Sequence, residues 1–209
     1  MAKTKLRKVG EYMDEKNNKA TVYSVTQKVL FKLEQSLETS HGKAMLAKLR
    51  HSVGKSIGES VEIWPLLFSE FPETFLSKDG QATKEELAII TALQFYALHQ
   101  QGKSGSVNFK ASHAYENLGC SLSALRNNED NTAVDRRFNV LITSTTIEEF
   151  IYHLRQMITL LKSKAKTTKI DYAKLAEDIF YFQLGYAENV RLRWGQEYYR
   201  YKGEENHEQ

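Results

Sequence analysis

The chain of 209 residues holds one cysteine, Cys120, and two prolines, Pro65 and Pro72. A single cysteine excludes an internal disulfide and a Cys-based zinc site, and the cytoplasm is the expected compartment. Prolines confined to one short region leave the rest of the chain free to be helical. No apolar run approaches the ~18–20 residues needed to span a bilayer. The start, Met1-Ala2-Lys3-Thr4-Lys5, leads into no apolar stretch of the secretory kind. Hairpin signals are also missing, since Asp79-Gly80 lies between helical patterns rather than between alternating apolar runs. The six histidines, His41, His51, His99, His113, His153 and His207, never fall in a His-x-x-x-His or His-Glu-x-x-His arrangement. No metal or other cofactor is expected from such spacing.

What is present is helical periodicity. Hydrophobic residues make up 41% of the chain and charged residues 26%, enough for a buried core. Val22, Val25, Val29, Leu33 and Leu37 fall on one helix face. Leu87 to Leu98 is apolar nearly all round, as a central buried helix is. Ile147, Phe150, Ile151, Leu154, Met157, Ile158 and Leu161 follow the i, i+3, i+4, i+7 template. Tyr172, Leu175, Ala176 and Ile179 repeat it behind Asp171, an N-cap. Val190, Trp194, Tyr198 and Tyr201 form a last aromatic stripe. Shorter helices are predicted over 43–53, 58–69, 112–126 and 132–144. Thr83 with Glu86 reads as a capping box, and Thr145 or Thr146 caps the helix that follows. The small residues Gly102-Lys103-Ser104-Gly105-Ser106 read as a linker. The expectation is an all-α fold of two packed helical sub-bundles, 1–101 and 112–209, joined by a flexible loop 102–111. The first 19 residues are basic and weakly periodic, either a short helix or a loose segment.

Net charge is only +3, but it is unevenly spread. Residues 1–56 carry twelve Lys/Arg against five acids, and residues 57–90 carry seven acids against two lysines. The segment Gly203 to Gln209 is acidic again. Such zones suit one face for phosphate and another for protein or solvent. At roughly 100° per residue, Lys43 and Arg50 share a line along one predicted helix, and Arg155 and Lys162 share a line along another. Arg136 points away from the apolar face of 132–144, and Arg137 lies at its margin. Arg126 and Arg191 complete a set suited to tracking a phosphate backbone without reading bases. Ordinary surface charge and ion pairing are the competing account of each residue. Tyr199 falls outside the last stripe and is a candidate for stacking on bases.

Signals of catalysis are poor. Gly54-Lys55-Ser56 matches the end of a phosphate-binding loop, but Leu49 stands where that loop needs glycine, and the context is helical. Cys120 in Gly-Cys-Ser has no histidine nearby in sequence and reads as a small buried side chain. His99 and His153 sit inside strong helices and read as histidines at a core margin.

Several segments, in this order, resemble a known family. They are Lys43-Ala44-Met45-Leu46-Ala47-Lys48-Leu49-Arg50 with Val53-Gly54-Lys55, Ile63-Trp64-Pro65-Leu66, and Leu93 to Gln101. Then come Asn117 to Leu122, Arg136-Arg137-Phe138-Asn139-Val140-Leu141, and His153-Leu154-Arg155-Gln156. Ile170 to Leu175 and Val190 to Tyr199 complete the series. Together, over about residues 40–201, they resemble CasB, the small subunit of the type I-E CRISPR interference complex, Cascade. The resemblance implies a helical protein without enzymatic activity. It also implies partners: crRNA and target DNA, the backbone and large subunits of Cascade, and a second copy packed head to tail. The implied role is to hold the R-loop and displaced strand. That role carries over to Arg50, Arg126, Arg136, Arg137 and Arg155. It extends to Lys43, Lys55 and Lys162, where a point charge replaces the arginine fork. RNA-guided systems delegate sequence reading to base pairing, so a helper subunit need only supply backbone electrostatics. The rival readings are a helix-turn-helix regulator, a helical enzyme using Cys120 or a histidine, and a purely structural adaptor.

Overall fold

The computed structural model describes residues 20–126 and 130–200. The predictions for the first 19 residues, for Tyr201 and for the acidic end therefore lie outside the described residues. The fold is all-α. Its helices are α1 (Val22–Gln35), α2 (Ser40–His51), α3 (Trp64–Phe68), α4 (Lys84–Gln100) and α5 (Leu118–Ser123). They continue with α6 (Thr132–Thr143), α7 (Ile147–Lys164), α8 (Tyr172–Gln183) and α9 (Ala187–Tyr199). Short 3-10 turns cover Val61–Ile63 and Glu73–Phe75. Backbone pairing outside helices, among the described residues, is one isolated parallel bridge between Asn108 and Ile170.

Helix α4 is the axis. Its residues from Ala88 to Ala97 are buried without interruption, so it has no solvent face in the middle. Helices α1, α2, α7 and α8 pack around it, with α8 making the most extensive contact. Such a helix is stable only inside a sheath, because its all-round apolar surface must be removed from water. Further along, α9 packs on α5 and α8, and α6 packs on α7. Helices from both halves of the chain contribute to one hydrophobic core. Residues 102–111 are anchored at several points. Gln100 Nε2 donates to the carbonyls of Lys103 and Gly105, and the Val107 N–H donates to Gln100 Oε1. Ser106 and Asn108 both donate to Glu34 of α1.

The caps fall where side chains can take orphan N–H groups. Thr83 and Glu86 form the capping box of α4. Thr146 accepts from the Glu149 N–H at 3.2 Å, so it, not Thr145, caps α7. Asp171 accepts from the Lys174 N–H at 2.9 Å and caps α8. Two predicted helices are shorter than expected. The stretch 58–69 is a 3-10 turn followed by α3, which starts where Pro65, lacking an N–H, fits the first helical turn. The stretch 112–126 is helical only from Leu118. Glu116 folds back to accept from the N–H groups of Ser112 and His113, and Asn117 then caps α5 through the Cys120 N–H. The second is a side-chain turn that competes with a helix over polar sequence.

Candidate nucleic-acid interface

Helices α2 and α7 both lie on α4, and this places their two lines of basic residues on neighbouring surfaces. Arg50 on α2 and Lys103 of the loop 102–111 act on the Lys162 ammonium of α7. Partial burial, then these two cations, hold its pKa below the usual lysine range. Lys162 Nζ donates to Gln101 Oε1 at 2.8 Å, and Lys103 Nζ donates to the carbonyl of Lys166. A groove lined by Lys43, Arg50, Gln101 and Lys103 opens beside them. Lys43 is exposed and pairs with Glu38 at 3.4 Å. Further up α7, Arg155 reaches the turn after α2. A Cβ built on Gly54 would sit 3.8 Å from Arg155 Nη1. Arg155 and Lys55 are exposed, and neither they nor Arg50 have an acid partner among the described residues within ion-pair distance. The result is one strip of positive charge with few internal anions, which phosphate oxygens can neutralise.

The Gly54-Lys55-Ser56 turn is not a phosphate cradle. Gly54 has φ +85°, and the Ser56 N–H and hydroxyl are both spent on the Glu59 carboxylate at 2.9 Å. An acid already fills the donors that a phosphate would need.

A second basic region lies on the other shoulder of α7. Arg136 and Arg137 of α6, both exposed, line a groove of about 670 Å³ with Val140, Tyr152, His153 and Gln156. Neither arginine has an acid partner among the described residues. Tyr152 is 59% exposed, and its ring meets His153 edge-on at 5.1 Å. With about 100° per residue, Arg155 and Lys162 fall on one side of the buried stripe of α7, and His153 falls on the other.

Other sequence candidates are engaged inside the fold. Arg126 donates to Asp135 at 3.0 Å and lies over the rings of Tyr198 and Tyr199 at 5.5 and 5.2 Å. Tyr199 donates to Asn139 at 2.7 Å. Arg191 donates to the Ser144 carbonyl and covers the Phe182 ring. His99 is fully buried, with Nδ1 2.9 Å from the Tyr172 hydroxyl. Burial, aided by Lys103 and Lys162, pushes its pKa down to about 4, so it is neutral at pH 7. It therefore sits deeper than the core margin. Cys120 is partly exposed rather than buried. Lys103 was missed by sequence reading, because a single lysine among Gly and Ser carries no positional signal before the loop's path is known. Among the described residues, no group of three or more His, Cys, Asp and Glu is arranged to hold a metal ion.

Residues 45–199 match the family described as CRISPR-associated protein Cse2. No curated protein matches the chain. Two solved structures share its fold. CasB from Thermobifida fusca superposes with a TM-score of 0.68 at 23% identity, over 86% of this chain and 98% of that one. A Cse2-family CRISPR-associated protein from Thermus thermophilus gives 0.58 at 22% identity, over 83% and 97%. The family match covers most of the chain, in the same helical fold, and on that ground the chain belongs to the CRISPR-associated Cse2 family.

Proposed function

We propose that this protein is the non-catalytic small subunit of the CRISPR surveillance complex Cascade and works in the cytoplasm. In this reading it lies against crRNA and target DNA, beside the backbone and large subunits and a second copy of itself arranged head to tail. It holds nucleic-acid backbone and so stabilises the R-loop and displaced strand. The observation that carries the reading is the strip formed by Arg50, Lys103, Lys162 and Arg155. Four cations from α2, α7 and the loop 102–111 are gathered there, and Arg50 and Lys103 add to partial burial in holding the Lys162 pKa below the usual lysine range. A fold gains no stability from such crowding, whereas a polyanion relieves it. Lys43 and Lys55 extend the strip, and Arg136 and Arg137 supply a second contact. R-loop formation is near-balanced, so a few phosphate contacts are enough to tip it.

The test uses reconstituted complex. Arg50→Ala combined with Arg155→Ala should weaken target-DNA binding at low salt, with the deficit shrinking as salt rises. The purified chain should show no nuclease or hydrolase activity with or without divalent metal. Wild-type-like R-loop formation by the double variant at low salt rules out the strip as the interface.

A further inference from the structure

We propose that the segment Val61–Phe68 is a docking face for a protein whose contact surface carries apolar side chains ringed by lysine or arginine. Two independent features point there. The first is an outward apolar stripe. Ile63 and Leu67 turn into the core, while Val61 is 54% exposed, Phe68 38% exposed, and Pro65 is exposed between them. The stripe is held rigid. Trp64 donates its indole N–H to the Ile57 carbonyl at 2.9 Å, and its ring lies 5.7 Å from that of Phe68. Phe68 in turn meets the buried Phe71 edge-on at 6.1 Å. A preorganised apolar face loses little entropy on being covered.

The second feature is charge. Residues 56–77 contain four glutamates and no Lys, Arg or His. Glu70 is neutralised by Lys32, but Glu62 and Glu73 are exposed and have no ion-pair partner among the described residues. An acidic rim repels phosphate backbones and anionic lipid surfaces, and it attracts a basic protein surface. The face is thus opposite in character to the strip on α2 and α7, and it suits a different partner.

The inference needs the chain to sit in a multisubunit complex, as proposed above, but it does not need the strip to bind nucleic acid. The experiment is co-expression of the full chain with the other Cascade subunits and guide RNA, with retention in the ribonucleoprotein fraction as the readout. Val61→Asp with Phe68→Asp should cut retention by about tenfold or more, as loss of central apolar anchors does. Its nucleic-acid binding as an isolated chain should stay like wild type, and Val61→Asp alone, at a position 54% exposed, should lower retention with the melting temperature unchanged. Glu62→Lys with Glu73→Lys should lower retention without touching the apolar stripe. Normal retention of the Asp variant overturns the docking face while leaving the Cascade reading intact. A wild-type chain that stays outside the complex overturns both. Loss of retention in Arg50→Ala with Arg155→Ala, but not in the Asp variant, means that incorporation runs through nucleic acid and overturns the docking face. A self-dimer of the isolated chain that the Asp variant dissolves assigns the face to a second copy instead, and that also overturns the proposal. Unchanged retention of the Lys variant removes the basic partner.

Discussion

Arg126 and Arg155 are both arginines near the surface of one helical fold, yet they do different work. Arg126 is bracketed by Asp135 and the rings of Tyr198 and Tyr199, where α5, α6 and α9 meet. Asp135 also accepts from the Tyr198 hydroxyl at 2.8 Å, and the Tyr198 ring stacks on Phe138 with centroids 3.7 Å apart. Arg155 has no acid within ion-pair distance among the described residues and shares its strip with Arg50, Lys103 and Lys162. A cation with its own acid and two rings is part of the fold. A cation among cations is left for an external anion. The partner, not the residue type, decides which it is.

The contrast is sharpest where packing alone matters. Gly119 on α5 lies against the backbone of α9, and a Cβ there would sit 2.0 Å from the Trp194 carbonyl oxygen. Backbone cannot give way as a flexible side chain can. Gly119→Ala should therefore cost about 3 kcal/mol or more, beyond the usual overpacking cost of roughly 1–3 kcal/mol. Chemical denaturation would show it as a lower midpoint. The Gly54 turn in the strip region has no such contact. A near-wild-type midpoint for Gly119→Ala would mean that α5 and α9 are not held as closely as the structure has them.

Arg126→Ala comes next. It strips Asp135 of its ion pair and exposes two ring faces, for a loss of about 1–2 kcal/mol, since the pair is only partly buried. Nucleic-acid binding by the folded variant should keep its salt slope. A reduced slope with unchanged stability would move Arg126 to the strip's side of the comparison.

The same end of the molecule carries a pH signature. Asp178 accepts from Trp194 Nε1 and from Arg193 Nη2, each at 2.7 Å. Burial nevertheless raises its pKa from 3.8 to about 6, against the lowering effect of Trp194 and Arg193. A raised carboxyl pKa means that the folded state binds the proton more tightly, so this group's stabilising contribution is full below about pH 4 and is lost by about pH 6. His99 has the opposite sign. Its depressed pKa gives stability that is full above pH 6.5 and is lost as pH falls through about 4. Asp178→Asn should therefore steepen the loss of melting temperature on acidification, and His99→Gln should flatten it. Parallel melting curves for wild type and both variants across pH 4–7 would contradict both environments.

How much of this was legible in the sequence follows the same division. The interior was: α4 reads as buried because Leu87 to Leu98 lacks a polar face, and α7 because its apolar template runs without a miss. The Thr83–Glu86 box is local chemistry and needs no tertiary knowledge. The short α5 was not legible, because Glu116 and Asn117 choose turn geometry over helix through side-chain hydrogen bonds that periodicity does not register. The candidate interface was half legible. The i, i+7 lines Lys43–Arg50 and Arg155–Lys162 follow from helix geometry, but their convergence depends on α2 and α7 both lying on α4. Arg126 and Arg155 look alike in sequence because Asp135 and Tyr198 are brought to Arg126 only by the docking of α6 and α9.

The smallest effects on stability should come from the unpaired arginines, which makes them the cleanest probes of function. Arg136 is exposed on α6, away from the buried Phe138 and Leu141, with no acid partner among the described residues. Arg136→Ala should shift stability by no more than about 0.5 kcal/mol, as exposed substitutions outside a network do. Arg137 is equally exposed and lines the same groove, so Arg137→Ala should behave like Arg136→Ala rather than show the mixed phenotype of a residue at the core margin. In target binding by reconstituted complex, each lost phosphate contact should flatten the log–log salt slope by roughly 0.7–0.9. Arg50→Ala should flatten it as well, and the Arg50 and Arg136 effects should add, because the shoulders of α7 separate their two grooves. An Arg136 variant that unfolds early would place this arginine with Arg126. One that binds with an unchanged slope would confine nucleic acid to the α2–α7 strip and leave the α6–α7 groove to another ligand.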